Sequence, residues 1–381
     1  MKRDLTVTFF SNFLLHHQTP FCEAMVKRLG DGFRFVATQP VPQERLAMGY
    51  RNYEDVPYAL NAYQNDAAYQ RAMQLGYDSD VVIMGSASNI FAEKRLKENK
   101  LTFRYYERLF KEGKWRLLDP RVIRDRFLTD TRYRNKEAYM LCASAYTARD
   151  CKLIFAYPHK MYKWGYFPEV KLYDDIDRVI ANKEKHSFLW AGRLIDWKHP
   201  EKAVLLAEQL YRNGTDFHMQ IIGIGEMEQQ LRQMISAKGL QNQVRMTGAM
   251  SPDEVRACME KADIFLFTSD RNEGWGAVLN EALNSACAVV ACREIGSVPY
   301  LIEDGINGMI FDNRGTNTLY SCVERLLRDK ERKTTMQNNA YETMKNVWNA
   351  DAATDRLLRL IDCIQKGGDP GYASGPCSRE E

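Results

Sequence analysis

The sequence predicts an α/β protein with two doubly wound parallel-sheet domains. The chain has 381 residues, more than a single hydrophobic core comfortably organises. Its hydrophobic content of 45% and charged content of 27% are typical of a globular protein. In both halves, short apolar runs of strand length alternate with amphipathic helical patterns. This alternation indicates parallel sheets covered by helices.

The first half contains four strand patterns, each followed by a loop or a helix. The first strand precedes a helix that carries Pro20 in its first turn and ends before Gly30. The third strand, "DVVIM", is followed by a loop of small residues that includes Ser86. The predicted strands cover residues 5–10, 33–38, 80–84 and 101–106.

The second half repeats the alternation with six strand patterns and no sequence similarity to the first. Between the third and fourth of them, Ser251 is the predicted N-cap of a helix, Pro252 its first residue and Glu254 the partner in a capping box. This half is therefore predicted to be a self-contained doubly wound unit. Its strands lie within 187–194, 217–225, 243–250, 263–269, 287–292 and 307–311.

These patterns predict an N-terminal domain over 1–170 and a C-terminal domain over 171–345. The charged, turn-rich segment 162–186 is expected to link them. A helix over 346–365 is expected to pack back toward the N-terminal domain, and the polar residues 366–381, rich in Gly and Pro, are predicted to form a disordered tail. We expect the two sheets to face a cleft, because open α/β sheets bind ligands at the carboxyl ends of their strands.

The composition argues against several classes of protein. No apolar run approaches the ~20 residues of a membrane span, and "MKRDLTVTFF" lacks the long apolar segment of a signal peptide, so a cytoplasmic protein is expected. The nine cysteines form no CxxC motif and the six histidines show no ligand spacing. Buried free thiols are expected, and no metal site.

The net charge is only +3, but it is unevenly distributed. Residues 91–135 contain 14 Lys and Arg against 7 Asp and Glu, with aromatic residues between them. A solvated helical face is the simplest interpretation. The alternative is contact with an anionic surface, such as phospholipid headgroups or a phosphate-bearing acceptor. Nucleic acid is disfavoured because no binding motif is present.

The stretch "EGWGAVLNE" places a carboxylate on each side of a turn. The turn is formed by Gly274, Trp275 and Gly276. Glu273 precedes it, and Glu281 lies roughly one turn inside the helix that follows. The first amides of that helix have no partner within it, and with the helix dipole they favour an anion such as phosphate.

Carboxylates repel phosphate but accept hydrogen bonds from hydroxyl groups. A nucleotide sugar has hydroxyls on both sides of a diphosphate. We therefore expect Glu281 at the ribose, the amides from about Trp275 to Val278 at the diphosphate and Glu273 at the sugar. A helix-start acid and an exposed helix residue would produce the same pattern, so other features have to decide.

Residues at the same predicted sheet edge favour the nucleotide sugar. Arg193 and Lys198 follow a strand, and two cations there would neutralise a diphosphate and stabilise it as a leaving group. Gly223 and Gly225 end another strand, where a larger side chain would obstruct a ligand. An ordinary turn is the alternative for this glycine pair.

Five motifs resemble family 4 of the retaining glycosyltransferases. In order along the chain they are "GRLIDWKHP", "IIGIGEMEQQL", "MTGAMSPDEV", "ADIFLFTSDRNEGWGAVLNEALNSACAVV" and "IGSVPYLIEDGINGMIF". This family has the GT-B fold of two Rossmann-like domains and requires no metal. The resemblance covers about 188–311 and implies that Arg193, Lys198 and Glu273 act at the reacting diphosphate and sugar. It implies donor contacts, including the ribose at the last position, for Gly192, Gly223, Gly225, Gly248, Met250, Gly274, Trp275, Gly276, Ala277 and Glu281.

The first half matches the family only loosely, as expected for an acceptor-binding domain. His16 and His17 follow the first strand, where one of them is placed to contact acceptor or phosphate. Glu107 lies nearest to the position where many members carry a histidine. Together with Ser86 they form the candidate acceptor-side set.

The resemblance implies transfer of a hexose or N-acetylhexosamine, with retention, from a nucleoside-diphosphate sugar. A UDP-sugar is preferred to a GDP-sugar, and no other cofactor is expected. "YKWGYFP" and "DWKHP" are similar to bacterial capsule and exopolysaccharide enzymes, which implies a glycan or lipid-linked oligosaccharide acceptor at the inner membrane face. A non-catalytic nucleotide-sugar-binding partner is the alternative. A nicotinamide-dependent oxidoreductase is disfavoured, since no GxGxxG follows either first strand.

Overall fold

The computed structural model describes residues 5–43, 51–313 and 317–380. The chain divides into two compact units. The first comprises Met1–Glu169 together with Asn349–Glu381, and the second comprises Val170–Trp348. The division after Glu169 lies one residue from the predicted boundary, whereas the return to the first unit comes three residues later than predicted.

The first unit is built on a parallel sheet that contains seven strands in the described residues, in the order β3-β2-β1-β4-β5-β6-β7. The four predicted strands are present, and three further strands were not predicted. The strands are β1 Val7–Ser11, β2 Phe33–Ala37, β3 Ala59–Asn61, β4 Val81–Met84, β5 Thr102–Tyr106, β6 Ala138–Cys142 and β7 Met161–Lys163. The helices are α1 Thr19–Leu29, α2 Asp66–Asp78, α3 Ile90–Lys97, α4 Pro120–Thr129 and α5 Thr147–Leu153.

The second unit contains a six-stranded parallel sheet within the described residues, in the order β10-β9-β8-β11-β12-β13. All six predicted strands are present. They are β8 Glu184–Ala191, β9 His218–Ile222, β10 Val244–Gly248, β11 Ala262–Phe267, β12 Ala288–Cys292 and β13 Met309–Phe311. The helices are α6 Ile176–Ala181, α7 Glu201–Arg212, α8 Glu228–Ala237, α9 Pro252–Lys261, α10 Val278–Asn284, α11 Val298–Leu301, α12 Leu319–Arg328 and α13 Lys330–Asn346.

The strand order of the second sheet reverses between β8 and β11. Chain order runs outward from β8 to β10 on one side and from β11 to β13 on the other. Such a reversal leaves a crevice at the carboxyl ends of the two central strands, and open α/β sheets bind ligands there. The capping box that the sequence predicts for Ser251 and Glu254 is present at the start of α9.

A buried lysine fastens the opposite end of the same two strands. The Lys183 ammonium donates to the backbone carbonyls of Met259, Glu260, Ala262 and Ser285, at 2.9–3.2 Å. Burial lowers the pKa of Lys183. These bonds satisfy carbonyls that would otherwise be buried without a donor, so they fix the start of β8 against the start of β11.

The final helix, α14 Ala350–Gln365, belongs to the first unit. It packs on α1, where the Arg28 guanidinium donates to Asp355 at 2.8 Å and also bonds Asp351. Its inward face is apolar, with Leu357 and Leu360 fully buried. No helix in the described residues combines the length and apolarity that crossing a membrane requires.

The prediction of a disordered tail is wrong for residues 366–380. Residues 366–380 are ordered against β7, where Cys377 N donates to Lys163 O at 2.7 Å and Lys163 N donates to Ser378 O at 2.8 Å. Cys377 is buried and Tyr162 donates to Asp369 at 2.9 Å. A Gly- and Pro-rich composition was taken as disorder, but this segment has an edge strand to pair with.

The predicted linker over 162–186 is also wrong as a single segment. It includes the end of β7, a stretch that belongs to the first unit up to Glu169, and then α6. Trp164 and Phe167 are buried in the first unit, with ring centroids 4.9 Å apart. Aromatic packing thus continues almost to the boundary, which turn and charge content did not reveal.

Replacing Leu357 with alanine should lower the free energy of unfolding of the first unit by about 2–5 kcal/mol, because a fully buried leucine leaves a cavity. The neighbouring Leu358 is only half-buried and provides a matched Leu→Ala control with a smaller loss. Urea unfolding of both variants measures the difference. Equal losses would contradict the packing of α14 described here.

Candidate functional site

The donor-side residues predicted in the second unit lie in loops at one edge of its sheet. Gly192 to Lys198 follow β8, Gly223 and Gly225 follow β9, and Glu273 follows β11. Because the strands are parallel, their carboxyl ends meet at the same edge. The loops after β8 and β11 lie side by side where the strand order reverses.

An ion pair joins these two loops. Lys198 Nζ lies 2.6 Å from Glu273 Oε2, and the side chains are 13% and 10% exposed. The Ser269 hydroxyl donates to the same carboxylate oxygen at 3.0 Å. Low exposure reduces screening by water, so this pair is stronger than one on an open surface. Two of the three predicted catalytic residues are thereby brought into contact, although 75 positions separate them in the chain.

Buried hydrogen bonds position the backbone on both sides of the pair. The Thr268 hydroxyl lies 2.9 Å from the carbonyl oxygen of Lys198 and accepts a bond from Trp190 Nε1 at 2.8 Å. Asp270 N donates to the carbonyl of Trp197 at 2.9 Å. The loop that carries Lys198 is thus tied directly to the loop that carries Glu273.

His199 links the same loops through its ring. Its backbone is left-handed, with φ +50°. Nδ1 lies 2.9 Å from Glu201 and Nε2 lies 3.5 Å from Asp270. The hydrogen bond with Glu201 raises the pKa of His199, against the opposing effects of burial and Lys202. The charged imidazole is therefore favoured between two carboxylates.

Arg193, the third predicted catalytic residue, extends from the same loop. Its side chain is exposed, and the guanidinium lies 5.8 Å from the centre of the Trp197 ring. Within the described ranges it forms no ion pair with a carboxylate. Lys198 also lies over this ring, at 4.9 Å. Both cations therefore lie close to the same indole ring.

Neighbouring backbone explains the glycines after β9. A Cβ atom on Gly223, at φ +141°, would lie 1.8 Å from Gly192 O, and one on Gly225, at φ +157°, would lie 2.4 Å from Leu194 O. Gly223 N donates to Gly248 O at 2.8 Å. The expected reason, that a side chain would obstruct a ligand, is replaced by the close approach of three loops.

The loop after β10 contributes the remaining residues of this edge. Gly248 has φ +75° and open space where a Cβ would be, and Met250 is half-buried. The structure therefore gives Gly248 a conformational reason and no steric one. Its carbonyl is already bonded to the loop after β9.

The turn between Glu273 and α10 is packed on the side chain of Trp275. Its side chain is fully buried, donates to Asn280 Oδ1 at 2.9 Å and packs 5.9 Å from the ring of Trp348. An indole so enclosed supports the turn, and the donor contact predicted for Trp275 remains a prediction for its backbone amide. Gly276, at φ +77°, is required because a Cβ would lie 2.4 Å from the ring of Phe267.

Glu281 has the features of an unengaged acceptor. It is half-buried in α10, and no described residue donates a hydrogen bond to its carboxylate. Burial raises the pKa of Glu281, while Arg256 opposes the shift. Since α10 has only seven residues after its N-cap Ala277, its dipole is weaker than the sequence suggested. Gly274, in the turn that precedes α10, is buried.

The candidate acceptor-side residues lie in loops after strands β1, β4 and β5 of the first unit. The His17 ring stacks on Tyr166 at 4.8 Å, and Tyr166 donates to Glu107 Oε1 at 2.6 Å. Glu107 also pairs with Lys111. His16 lies 5.4 Å from His17, between ring centres. Three of the four predicted residues therefore share one cluster.

Ser86, the fourth acceptor-side candidate, is exposed after β4. The structure places it at the same sheet edge but gives it no contact with the cluster. Sequence inspection missed Tyr166, which connects His17 to Glu107. The segment around it had been assigned to a linker.

In the second unit, sequence inspection missed Thr268, Ser269, Asp270 and His199. A signal for them existed. "TSD" directly follows β11, and polar residues at the carboxyl end of a parallel strand are placed at its binding edge.

The geometry agrees with comparisons to known proteins. Residues 174–343 match the model of the family "Glycosyl transferases group 1". The match supports this family for the second unit, and it spans less than half of the 381 residues. The region of similarity expected from sequence motifs, about 188–311, lies inside it.

Two curated relatives match over a similar length. Alpha-D-kanosaminyltransferase of Streptomyces kanamyceticus is 31% identical over 172 residues, covering 45% of this chain and 44% of that protein. Amylovoran biosynthesis glycosyltransferase AmsK of Erwinia amylovora is 26% identical over 179 residues, covering 46% and 44%. The chain thus spans less than half the length of these relatives.

Solved structures extend the similarity in fold to both units. HepE of Anabaena, crystallised in complex with UDP, superposes with a TM-score of 0.70 and 15% identity, over 94% of this chain and all of that one. At this identity the likeness shows the fold alone. Together with the two parallel sheets, it confirms the predicted α/β class of two Rossmann-like GT-B domains.

Replacing Gly223 with alanine should destabilise the second unit more than replacing Gly248. Both glycines have a positive φ, but only the Cβ at position 223 would collide with backbone, at 1.8 Å from Gly192 O. Thermal unfolding of the two variants isolates this steric cost from the shared conformational cost. Equal shifts in the midpoint would contradict the close approach.

His199→Asn should remove a pH-dependent part of stability. The folded-state pKa is raised above the unfolded value near ~6.5, so this contribution is complete below that value and is lost as pH rises through the folded pKa. Asparagine tolerates the left-handed backbone. The difference in free energy of unfolding between wild type and variant should therefore shrink as pH rises from about 5.5 to about 8.5.

The charged groups facing His199 are Glu201, Asp270 and Lys202. His186→Asn is the matched control, because His186 is also left-handed at φ +54° and its ring faces the carbonyl of Asp216 in place of two carboxylates. If the difference in free energy of unfolding between wild type and His199→Asn stayed constant with pH, the proposed interaction of a charged His199 with Glu201 and Asp270 would be refuted.

Proposed function

We propose that this protein is a retaining glycosyltransferase that uses a nucleoside-diphosphate sugar, with UDP as the expected nucleotide. The observation that carries the proposal is the contact of Lys198 with Glu273 at the strand-order reversal, where cation and carboxylate share one crevice edge. The family match of the second unit supports it. HepE, a protein of the same fold, binds UDP.

In this proposal the two cations take the diphosphate. Arg193, which has no carboxylate partner among the described residues, and Lys198 would stabilise the negative charge that develops on the leaving diphosphate. This assignment no longer depends on the dipole of the seven-residue α10. No cofactor besides the nucleotide sugar is proposed, since these two residues supply the positive charge.

The carboxylates would take hydroxyl groups. Glu273, held by Lys198 and Ser269, would orient hydroxyls of the sugar. Glu281 has a carboxylate with no donor among the described residues, which suits the two ribose hydroxyls. The backbone around Gly248 and Met250 would contact the base. Burying hydroxyls against preset acceptors favours one ligand pose over others.

The proposed reaction breaks the bond between the anomeric carbon and the diphosphate oxygen. The acceptor hydroxyl oxygen forms the new bond from the same face, which retains the configuration. Attack from that face places the hydroxyl beside the departing oxygen, which becomes the base that takes its proton. The cluster of His16, His17 and Glu107 is the proposed acceptor-side contact of the first unit, with Ser86 at the same sheet edge.

The proposed acceptor is a glycan or lipid-linked oligosaccharide in surface polysaccharide synthesis. AmsK, which is named for amylovoran biosynthesis, supports this choice. The proposed sugar is a hexose or N-acetylhexosamine. A location in the cytoplasm at the inner face of the membrane follows from such an acceptor.

Lys198→Ala should lower turnover of the nucleotide sugar at least about a hundredfold, because one preorganised charge is lost at the leaving group. Lys202→Ala is the matched control, since that ammonium contacts Asn313 in place of Glu273. The first measurement is the thermal midpoint with UDP, GDP and their sugars, which a ligand of the folded state must raise.

The outcomes separate the alternatives. A shift with one nucleotide that is reduced in Lys198→Ala and kept in Lys202→Ala supports the diphosphate site. Binding without hydrolysis or transfer across a broad acceptor panel would instead indicate a non-catalytic nucleotide-sugar-binding partner. A folded protein with no shift for any nucleotide would refute the proposal.

A further inference from the structure

Exposed apolar side chains concentrate in one short segment of the first unit. Twelve large hydrophobic side chains are exposed among the described residues, and five of them fall within 115–128. We call these five, together with the cations between them, the 115–128 patch. Leu118 is 83% exposed, the highest value among these twelve side chains. The five apolar members are Trp115, Leu118, Ile123, Phe127 and Leu128.

The patch is the solvent-facing side of a helical element that also packs on the core of the first unit. A 3-10 helix over Lys114–Leu118 leads directly into α4. Val122 packs against the core of the first unit, whereas Ile123 and Phe127, four residues apart, share the exposed face. The element therefore has an apolar side toward the core and a second apolar side toward solvent.

Both ends of α4 are fixed, so the exposure does not result from a frayed helix. Asp119 caps the first turn by accepting from Arg121 N at 2.9 Å. At the other end, Arg104 donates to Thr129 O at 3.2 Å, and the adjacent Asp130 is fully buried. The Tyr157 hydroxyl donates to Asp130 at 2.6 Å. The apolar face is thus presented on an anchored helix.

Cations surround the apolar side chains. Residues 115–128 contain four Arg against two Asp. The Arg121 side chain is 91% exposed and Arg124 is exposed beside it. Arg116 lies against the indole of Trp115 at 5.6 Å. Exposed guanidinium groups and large apolar side chains are therefore interspersed along the 115–128 segment.

This combination selects among possible occupants. The core of a protein interface is depleted of charge, with polar groups at the rim. An anionic bilayer surface accepts both chemistries at the same depth, because indole and aliphatic tips enter the acyl boundary while Arg and Lys meet phosphates. Charge complementarity therefore favours lipid over a protein partner.

We propose that the 115–128 patch docks the protein on an anionic phospholipid surface. The basic region predicted over 91–135 is thereby narrowed to the exposed residues of α4 and of the 3-10 helix before it. Leu118 and Phe127 would insert, and Arg121 and Arg124 would contact lipid phosphates. The proposal does not depend on the transferase proposal, because its test requires no nucleotide.

The experiment is co-sedimentation of the full chain with vesicles of phosphatidylcholine alone or mixed with phosphatidylglycerol. The wild type should bind the mixed vesicles, and Leu118→Glu with Phe127→Glu should reduce the partition coefficient about tenfold or more. Arg121→Glu with Arg124→Glu should cause a similar loss on mixed vesicles only. Leu172→Glu, at a side chain 70% exposed in the second unit, should bind within twofold of wild type.

Circular dichroism and the thermal midpoint confirm that each variant is folded. If the double glutamate variant does not fold, Phe127→Ser alone replaces it. The proposal would be overturned if the wild type did not bind the mixed vesicles. It would also be overturned if the arginine variant lost binding while the variant with glutamate at 118 and 127 bound as well as wild type. Concentration-dependent self-association that the same substitutions abolish, without vesicle binding, would assign the patch to a second copy and likewise overturn it.

Discussion

The pairing of β8 with β11 is the constraint on which the candidate site depends. These strands are far apart in the chain, yet parallel pairing places the loops after them at one sheet edge. Lys183 fixes the beginning of both strands through buried carbonyls, and the contact of Lys198 with Glu273 joins their ends. A fixed start and a fixed end leave the two loops little freedom, which is the preorganisation that charge stabilisation requires.

Much of the second unit could be predicted from the sequence because its signals are local. Its six strands are apolar runs bounded by glycine or polar residues, and the capping box at Ser251 is contained within four positions. The first unit was harder. β3 and β7 have three residues each, too short to show a period, whereas β6 is a five-residue apolar run that was recognisable.

The sequence predicted which loops carry the candidate residues, but it did not predict what surrounds those residues. Gly223 and Trp275 were placed at the correct loops, but their neighbours come from elsewhere in the chain. The requirement for glycine is imposed by the carbonyl of Gly192, and the indole is enclosed with Trp348. Such contacts depend on how strands pair, which spacing along one segment does not encode. For the same reason Tyr166 and Thr268, which only connect other residues, escaped notice.

The first unit is discontinuous, since Asn349–Glu381 completes what Met1–Glu169 begins. During synthesis the second unit is therefore whole before the first can be. β7 cannot form its hydrogen bonds to the segment around Cys377, and α1 cannot pack against α14, until those segments have been synthesised. A chain released early from the ribosome would carry a complete second unit beside a first unit with an open edge strand and an uncovered apolar helix face, which are the surfaces that chaperones and proteases recognise.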